Sequence, residues 1–374
     1  MRRTSALRQL LVVLSVATTA GAACAQGTGV NGGLAPTPII NSLPDLGSSA
    51  NAGLSRADEY QLGRMIMHDL RSQNAVLDDP ETADYIQAVG SRIAVEAQNA
   101  PQQFQYFAVR DSAINAFALP GGFIGVNTGL ILLTSSESEL ASVLAHETGH
   151  VVQRHIARAL QAQSRSSLAS IAGMLGAVLI GAVTGNANVL PGIIALGEGT
   201  AMQQQINFTR TEETEADSVG IGFLAAAGYD PNAMAGFFSA MSRERGVGGT
   251  DIPPLLLDHP LDADRIAHAR ERVAALSGYP RRPESATYAY IRERIRVITA
   301  PQNDDQRRYY QHAREMDPQN DALRYGAALA ELKSGDPKVA VGLLQPLVEA
   351  HPELALLYAT LGQAQLAAGS PDDA

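Results

Sequence analysis

Residues 136–150 constrain this chain more than any other stretch of its 374 residues. Ser136-x-x-Glu139 is a capping box, a pattern that starts a helix by satisfying its first free N–H groups. The helix it opens carries His146-Glu147-Thr148-Gly149-His150. At 3.6 residues per turn, positions four apart lie one above the other, so both imidazoles project from one face. Two neutral imidazoles so placed can share a metal ion, and nitrogen donors of this kind favour zinc. Glu147 sits ~100° round from His146, beside the metal position rather than on it, where a general base belongs. Gly149 inside a helix costs about 1 kcal/mol against alanine, so its presence predicts close approach of another backbone. The spacing predicts helix through about residue 162, with Leu140, Val143 and Leu144 on the buried side.

Catalysis by such a metal needs a third protein ligand and one open position. His155 is the nearest histidine, but in a continuous helix it lies roughly 140° round from His150. It therefore reads as a packing or surface histidine, not a ligand. The longer zincin pattern would need Gly at 153 and His at 156, where this chain has Gln153 and Ile156. Further on, Arg210-Thr211-Glu212-Glu213-Thr214-Glu215-Ala216-Asp217 opens a second helix that closes near Gly228. Glu213 and Asp217 share a face. That leaves Glu213 able to bind the metal while Asp217 accepts the N–H of a ligand histidine. Negative charge is also favoured at a helix N-terminus by the macrodipole, and the two readings are compatible. Glu212 and Glu215 face elsewhere and read as solvated or capping charges.

The rest of the chain sets the context. Arg2, Arg3 and Arg8 precede an apolar run from Leu10 to Val16 and an Ala23-Cys24-Ala25 site, which reads as an export signal cleaved after Ala25. That run is shorter than the ~20 residues needed to span a bilayer. Cleavage removes three arginines and leaves 25 − 38 = −13, with no cysteine in the mature chain. Such a chain suits an oxidising compartment, and the expected address is the periplasm. The acidic balance and the lack of a basic block argue against nucleic acid as a partner. Residues 26–53 read as a flexible linker. Helices are expected from Leu54 and over 80–98, a strand over 104–110, and a two-stranded hairpin over 114–133 turning at Pro120-Gly121-Gly122. The charge-free stretch 166–197 reads as a lid, a buried helical hairpin or a membrane-contacting segment. At an offset of 34 residues, Pro318, Leu323, Leu332, Gly335 and Pro337 recur as Pro352, Leu357, Leu366, Gly369 and Pro371. Thirty-four is the tetratricopeptide period. The sequence stops where the second helix of the second unit is due, so a longer natural protein is expected. Domains are accordingly expected at 54–283 and 284–374.

Asn115-Ala116-Phe117-Ala118-Leu119-Pro120-Gly121-Gly122, the run Ser136–Leu140 before His-Glu-Thr-Gly-His, and Arg210-x-x-Glu213-x-x-Ala216-Asp217 together resemble the HtpX and CAAX-prenyl-protease type of gluzincin metallopeptidase. With an export signal and tetratricopeptide repeats, the layout is most similar to periplasmic proteases of β-barrel assembly. The resemblance implies an α+β, mostly helical peptidase domain with a small antiparallel sheet, followed by a helical repeat region. It implies one zinc ion per chain on His146, His150 and Glu213, with Glu147 as catalytic base. His259-Pro260 and Arg265 also match the family. His259 either hydrogen-bonds the tetrahedral oxyanion or occupies the open metal position and keeps the resting enzyme shut. Asp217 and Arg265 support these groups. The strand Asn115–Ala118 would take an extended substrate at a sheet edge. The implied function is a zinc endopeptidase with chaperone activity toward misfolded or stalled outer-membrane proteins. The implied partners are unfolded proteins and, through the repeats, the envelope β-barrel assembly machinery, with peripheral contact to the outer membrane. The alternative is a repeat-based chaperone or scaffold with a latched or vestigial zinc site.

Overall fold

The computed structural model describes residues 54–97, 103–162, 210–247, 254–301 and 305–372. The expected export signal, the linker and the charge-free stretch 166–197 lie outside them. Among the described residues no helix is long and apolar enough to cross a membrane.

Two amphipathic helices come first. In α1 (Arg56–Ser72) the Ser55 hydroxyl accepts from the Asp58 N–H at 3.1 Å, and Leu62, Ile66 and Leu70 turn inward. Tyr60 stays half exposed and stacks on Phe123 at 5.7 Å. In α2 (Pro80–Glu96) Asp79 caps the start, Pro80 takes the first turn, where no amide donor is needed, and Ile86, Val89 and Ile93 are buried.

The sheet has the order β1 (Gln105–Val109), β3 (Phe123–Asn127), β2 (Ala116–Leu119). It is mixed, not wholly antiparallel as expected: β1 runs parallel to β3, with Gln105 opposite Phe123, and β2 runs antiparallel, with Ala116 opposite Val126. The cause lies in the loop after β1. Asp111 accepts the Ala113 N–H at 2.9 Å and the Asn127 side-chain amide at 3.1 Å, which carries the chain past the central position before β2 begins. The β2–β3 turn holds Gly121 and Gly122 at φ 82° and 95°, backbone that a side chain would strain. A second difference follows Asn127. The expected strand through 133 gives way to helix α3 (Thr128–Leu133), because the Asp111 carbonyl takes both the Thr128 hydroxyl at 2.8 Å and the Gly129 N–H at 2.9 Å. A short apolar run fits either period, and this loop decides between them.

Helix α4 (Glu137–Val152) starts at the expected cap, with Ser136 Oγ accepting from the Glu139 N–H at 3.1 Å. It stops ten residues early. Arg154 takes φ 56°, and a separate helix α5 (His155–Ala162) begins at once. Helix α6 (Arg210–Ala226) lies across α4 at unusually short range. A Cβ on Gly149 would stand 2.9 Å from the Ala216 carbonyl, and one on Gly220 would stand 3.0 Å from the Ala145 carbonyl. The pairings 149 with 216 and 145 with 220 show the two helices running in opposite senses. Helices α7 (Asn232–Val247), α8 (Pro254–Asp258) and α9 (Ala263–Ala274) follow.

Helices α10 (Ala286–Thr299), α11 (Gln306–Met316), α12 (Asp321–Lys333), α13 (Pro337–Ala350) and α14 (Ala355–Ala367) complete the described chain. The starts of α12 and α14 are 355 − 321 = 34 residues apart. Gly335 and Gly369 take left-handed backbone at equivalent points after each, φ 89° and 82°. Arg294 of α10 is buried and joins three regions. It grips Asp79 through Nε at 2.8 Å and Nη2 at 2.7 Å, Glu81 at 2.7 Å, and donates to the Tyr325 hydroxyl of α12 at 3.2 Å.

Two stability predictions follow. Gly149→Ala should lower the melting temperature although alanine is the better helix former by about 1 kcal/mol, since overpacking against backbone costs about 1–3 kcal/mol. A rise in melting temperature would mean that the crossing has slack. Asp79 supplies the pH case. Burial alone would raise its carboxyl, but the Arg294 and Thr82 bonds hold it below 3.8. Its contribution is therefore present above the unfolded value and lost as pH falls through the lower folded one. Asp79→Asn should reduce the melting temperature at pH 7, with the gap to the native chain closing below about pH 4.

Candidate metal centre

Helix α4 presents His146, Glu147 and His150; α6 brings Glu213 and Asp217; the turn after α8 brings His259; and α9 brings Arg265. All seven side chains are buried. The α4–α6 crossing at Gly149 is close enough for Glu213 to reach both imidazoles across it.

Four donors converge. His146 Nε2 lies 3.0 Å from His150 Nε2, 3.5 Å from Glu213 Oε2 and 3.4 Å from His259 Nδ1. Glu213 Oε1 is 3.5 Å from His150 Nε2 and 3.0 Å from His259 Nδ1. One donor atom from each of the four residues lies within 4.8 Å of every other. A tetrahedral ion about 2.0–2.1 Å from its ligands separates them by about 3.3–3.4 Å, so these spacings fit a metal ion with three nitrogens and one carboxylate. The protonation pattern agrees. Asp217 Oδ1 sits 2.9 Å from His146 Nδ1, and this carboxylate contact favours the proton on Nδ1, with the Nε2 lone pair toward the cluster. Two ring nitrogens 3.0 Å apart need a hydrogen or a metal ion between them.

The electrostatics show the proton's version. Burial would depress His146, but Asp217 and Glu213 outweigh it and push the imidazole up to about 10. Burial holds His150 well below its ordinary value. For His259 burial again works downward, and Glu213 with Glu147 raises it. Glu213 would rise on burial, yet His259 and His146 hold its carboxyl well below the usual range.

Arg265 fastens the carboxylates. Its Nε and Nη2 reach the two oxygens of Asp217, each at 2.8 Å, and Nη1 reaches Glu213 Oε2 at 2.7 Å. Asp262 caps α9 by accepting the Arg265 N–H at 2.9 Å, which sets the start of the helix that aims the guanidinium. His259 Nε2 points the other way, 3.6 Å from Glu147 Oε1. An apolar pocket lined by Val143, Met234, Phe237, Phe238, Met241 and Leu256 adjoins Glu147 and His259.

Asn115, Ala116, Phe117 and Ala118 lie at the entry to and along β2, the sheet's edge strand. The Ile114 carbonyl just before them accepts the Leu255 N–H of α8 at 3.3 Å, tying the segment that carries His259 to this edge. Two residues set aside on sequence grounds prove to lie beside the cluster. His155 is buried with Nδ1 2.7 Å from His150 Nδ1, and Glu215 Oε2 is 3.0 Å from His155 Nε2. The 140° that separates His155 from His150 in an unbroken helix does not apply, because α4 ends at Val152 and the backbone turns at Arg154. Nor is Glu215 merely solvated: its side chain is largely buried and also meets Arg158 at 2.9 Å.

Comparison with known proteins agrees with this geometry. The profile of peptidase family M48 matches residues 80–273, which hold every cluster residue. A Vibrio cholerae protein provisionally named a beta-barrel assembly-enhancing protease is 38% identical over 318 residues, covering 83% of this chain and 64% of the relative. The Escherichia coli K12 beta-barrel assembly-enhancing protease is 33% identical over 315 residues, covering 83% of this chain and 64% of the relative. The E. coli metalloprotease LoiP is 26% identical over 279 residues, 72% of this chain and 98% of its own length. The chain thus spans just under two thirds of the assembly-enhancing relatives it matches. With the profile covering more than half of its residues and the donor cluster inside that match, the chain belongs to peptidase family M48.

Proposed function

We propose that this chain is a zinc-dependent endopeptidase of the bacterial cell envelope. It cuts, and as a chaperone assists, misfolded or stalled outer-membrane proteins. The tetrahedral spacing of His146, His150, Glu213 and His259 beside the Glu147 carboxylate carries this reading. Zinc bound there supplies Lewis acidity, which makes a water acidic and polarises a peptide carbonyl. Glu147 takes the proton of the attacking water and passes it to the leaving amine, a role worth about 10²–10⁴-fold. His146 and His150 hold the ion with neutral nitrogens, Glu213 adds one negative charge, and Asp217 with Arg265 keeps His146 and Glu213 oriented.

His259 is assigned the latch role. Its Nδ1 stands where a fourth ligand belongs and its Nε2 faces the base, so one ring engages both groups that the reaction needs. Swinging it out frees the position and Glu147 together. An extended client then adds to the free edge of β2 at Asn115–Ala118, read by its backbone, with an apolar side chain in the adjoining pocket. Recognition of that kind suits unfolded substrates. The names of the relatives support a role at β-barrel assembly. Helices α12–α14, with their 34-residue spacing, support tetratricopeptide-type repeats as the surface for that machinery. The periplasm, with peripheral contact to the outer membrane, is the corresponding location, and 54–283 with 284–374 the corresponding division of labour.

Zinc content and casein cleavage test these assignments. Glu147→Gln should retain one zinc and lose cleavage by a factor of about 10² or more. His259→Ala should retain zinc and cut faster than the native chain. If His259→Ala holds zinc but is dead, the ring acts in the transition state and the latch assignment fails. Absence of zinc and of cleavage throughout would leave a repeat-based chaperone.

A further inference from the structure

We infer that His155 and Glu215 are positioning residues that fix which nitrogen of His150 faces the metal. This rests on the reading of His150 as a ligand, and it extends that site to two side chains outside the donor cluster. The hydrogen-bond chain has one end of known polarity. The Glu215 carboxylate, ion-paired to Arg158 at 2.9 Å, can only accept. His155 Nε2, 3.0 Å away, must therefore carry the proton and donate. The other nitrogen of His155, Nδ1, then presents a lone pair, and at 2.7 Å it accepts from His150 Nδ1–H. Proton placement on His150 is thereby settled. Its Nε2 is bare and points into the cluster, 3.0 Å from His146 Nε2. His146 reaches the same state by direct contact with Asp217. Each ligand histidine thus has one carboxylate of α6 behind it, Asp217 directly and Glu215 through an intervening ring, and each carboxylate is held by an arginine, Arg265 or Arg158.

The backbone is bent to make this contact. Arg154 adopts φ 56°, left-handed backbone that crowds the Cβ of a residue other than glycine. Strain of this kind persists where surrounding contacts over-determine it. Here the buried guanidinium donates to Glu59 Oε1 at 3.2 Å and to the Leu54 carbonyl at 2.7 Å, both from the start of the peptidase region. Beyond this turn the His155 ring lies 4.8 Å from the His150 ring, edge to face.

The test is zinc affinity of the full chain, by competition with a chromophoric chelator, beside melting curves of the metal-free forms. His155→Ala should weaken zinc binding about 10–100-fold, the usual effect of removing a partner behind a metal-ligating histidine. Glu215→Ala should weaken it in the same direction. His155→Gln should recover most of the loss, since its amide oxygen can accept from His150 and its amide nitrogen can donate to Glu215. Packing alone would not distinguish Gln from Ala in this way. Native affinity in His155→Ala, with binding lost in His150→Ala, would overturn the inference and leave the metal site standing. Equal weakness of His155→Gln and His155→Ala in folded proteins would overturn it too. Unchanged zinc binding in His150→Ala would remove the ligand reading itself, and the inference with it.

Discussion

The separation of α4 and α6 at Gly149 governs the whole metal centre. A methyl group at that position would meet the Ala216 carbonyl at 2.9 Å, so only glycine lets the two backbones come this near. Gly220 repeats the device one turn away against Ala145. Glutamate is short enough that Glu213 meets both α4 imidazoles only because the helix axes are forced together. The same proximity puts Asp217 behind His146 and lets Glu215 reach the ring beyond His150. Three acidic residues within five positions of one helix thus have three separate tasks, assigned by where each projects from α6.

Charge at this site is balanced locally. Carboxylates taken out of water cost several kcal/mol each unless they are paired and hydrogen-bonded. Glu213 and Asp217 share Arg265, whose Nη1 also donates to the Pro260 carbonyl at 2.9 Å, and whose guanidinium lies 5.0 Å above the Phe238 ring. One arginine therefore joins α6, α9 and the turn that presents His259.

Much of this was legible in the sequence for reasons that are local. Four-residue spacing places His146 with His150 and Glu213 with Asp217, the Ser136 cap depends on near neighbours, and a glycine inside a helix marks the close approach at Gly149 whatever its partner. What escaped depends on distant residues. Helix α4 ends at Val152, where no Gly or Pro signals a stop; the left-handed Arg154 that follows is held by Glu59 and Leu54, some hundred residues upstream. Without that knowledge His155 falls on the wrong side of a helix that does not exist. The parallel pairing of β1 with β3 likewise follows from the loop around Asp111 rather than from strand periodicity. His259 is carried to the cluster by packing of α8 and α9, and only its family motif marked it.

Arg294 bears on how a chain like this can change over time. Its guanidinium draws on Asp79 and Glu81 at the head of α2, while Tyr325 and Thr360 of the following helices close around its other side. Recombination that exchanged the C-terminal helices as a cassette would leave either this cation or its two acids buried without a counterpart. The head of α2 and the C-terminal helices are accordingly coupled through one buried cation.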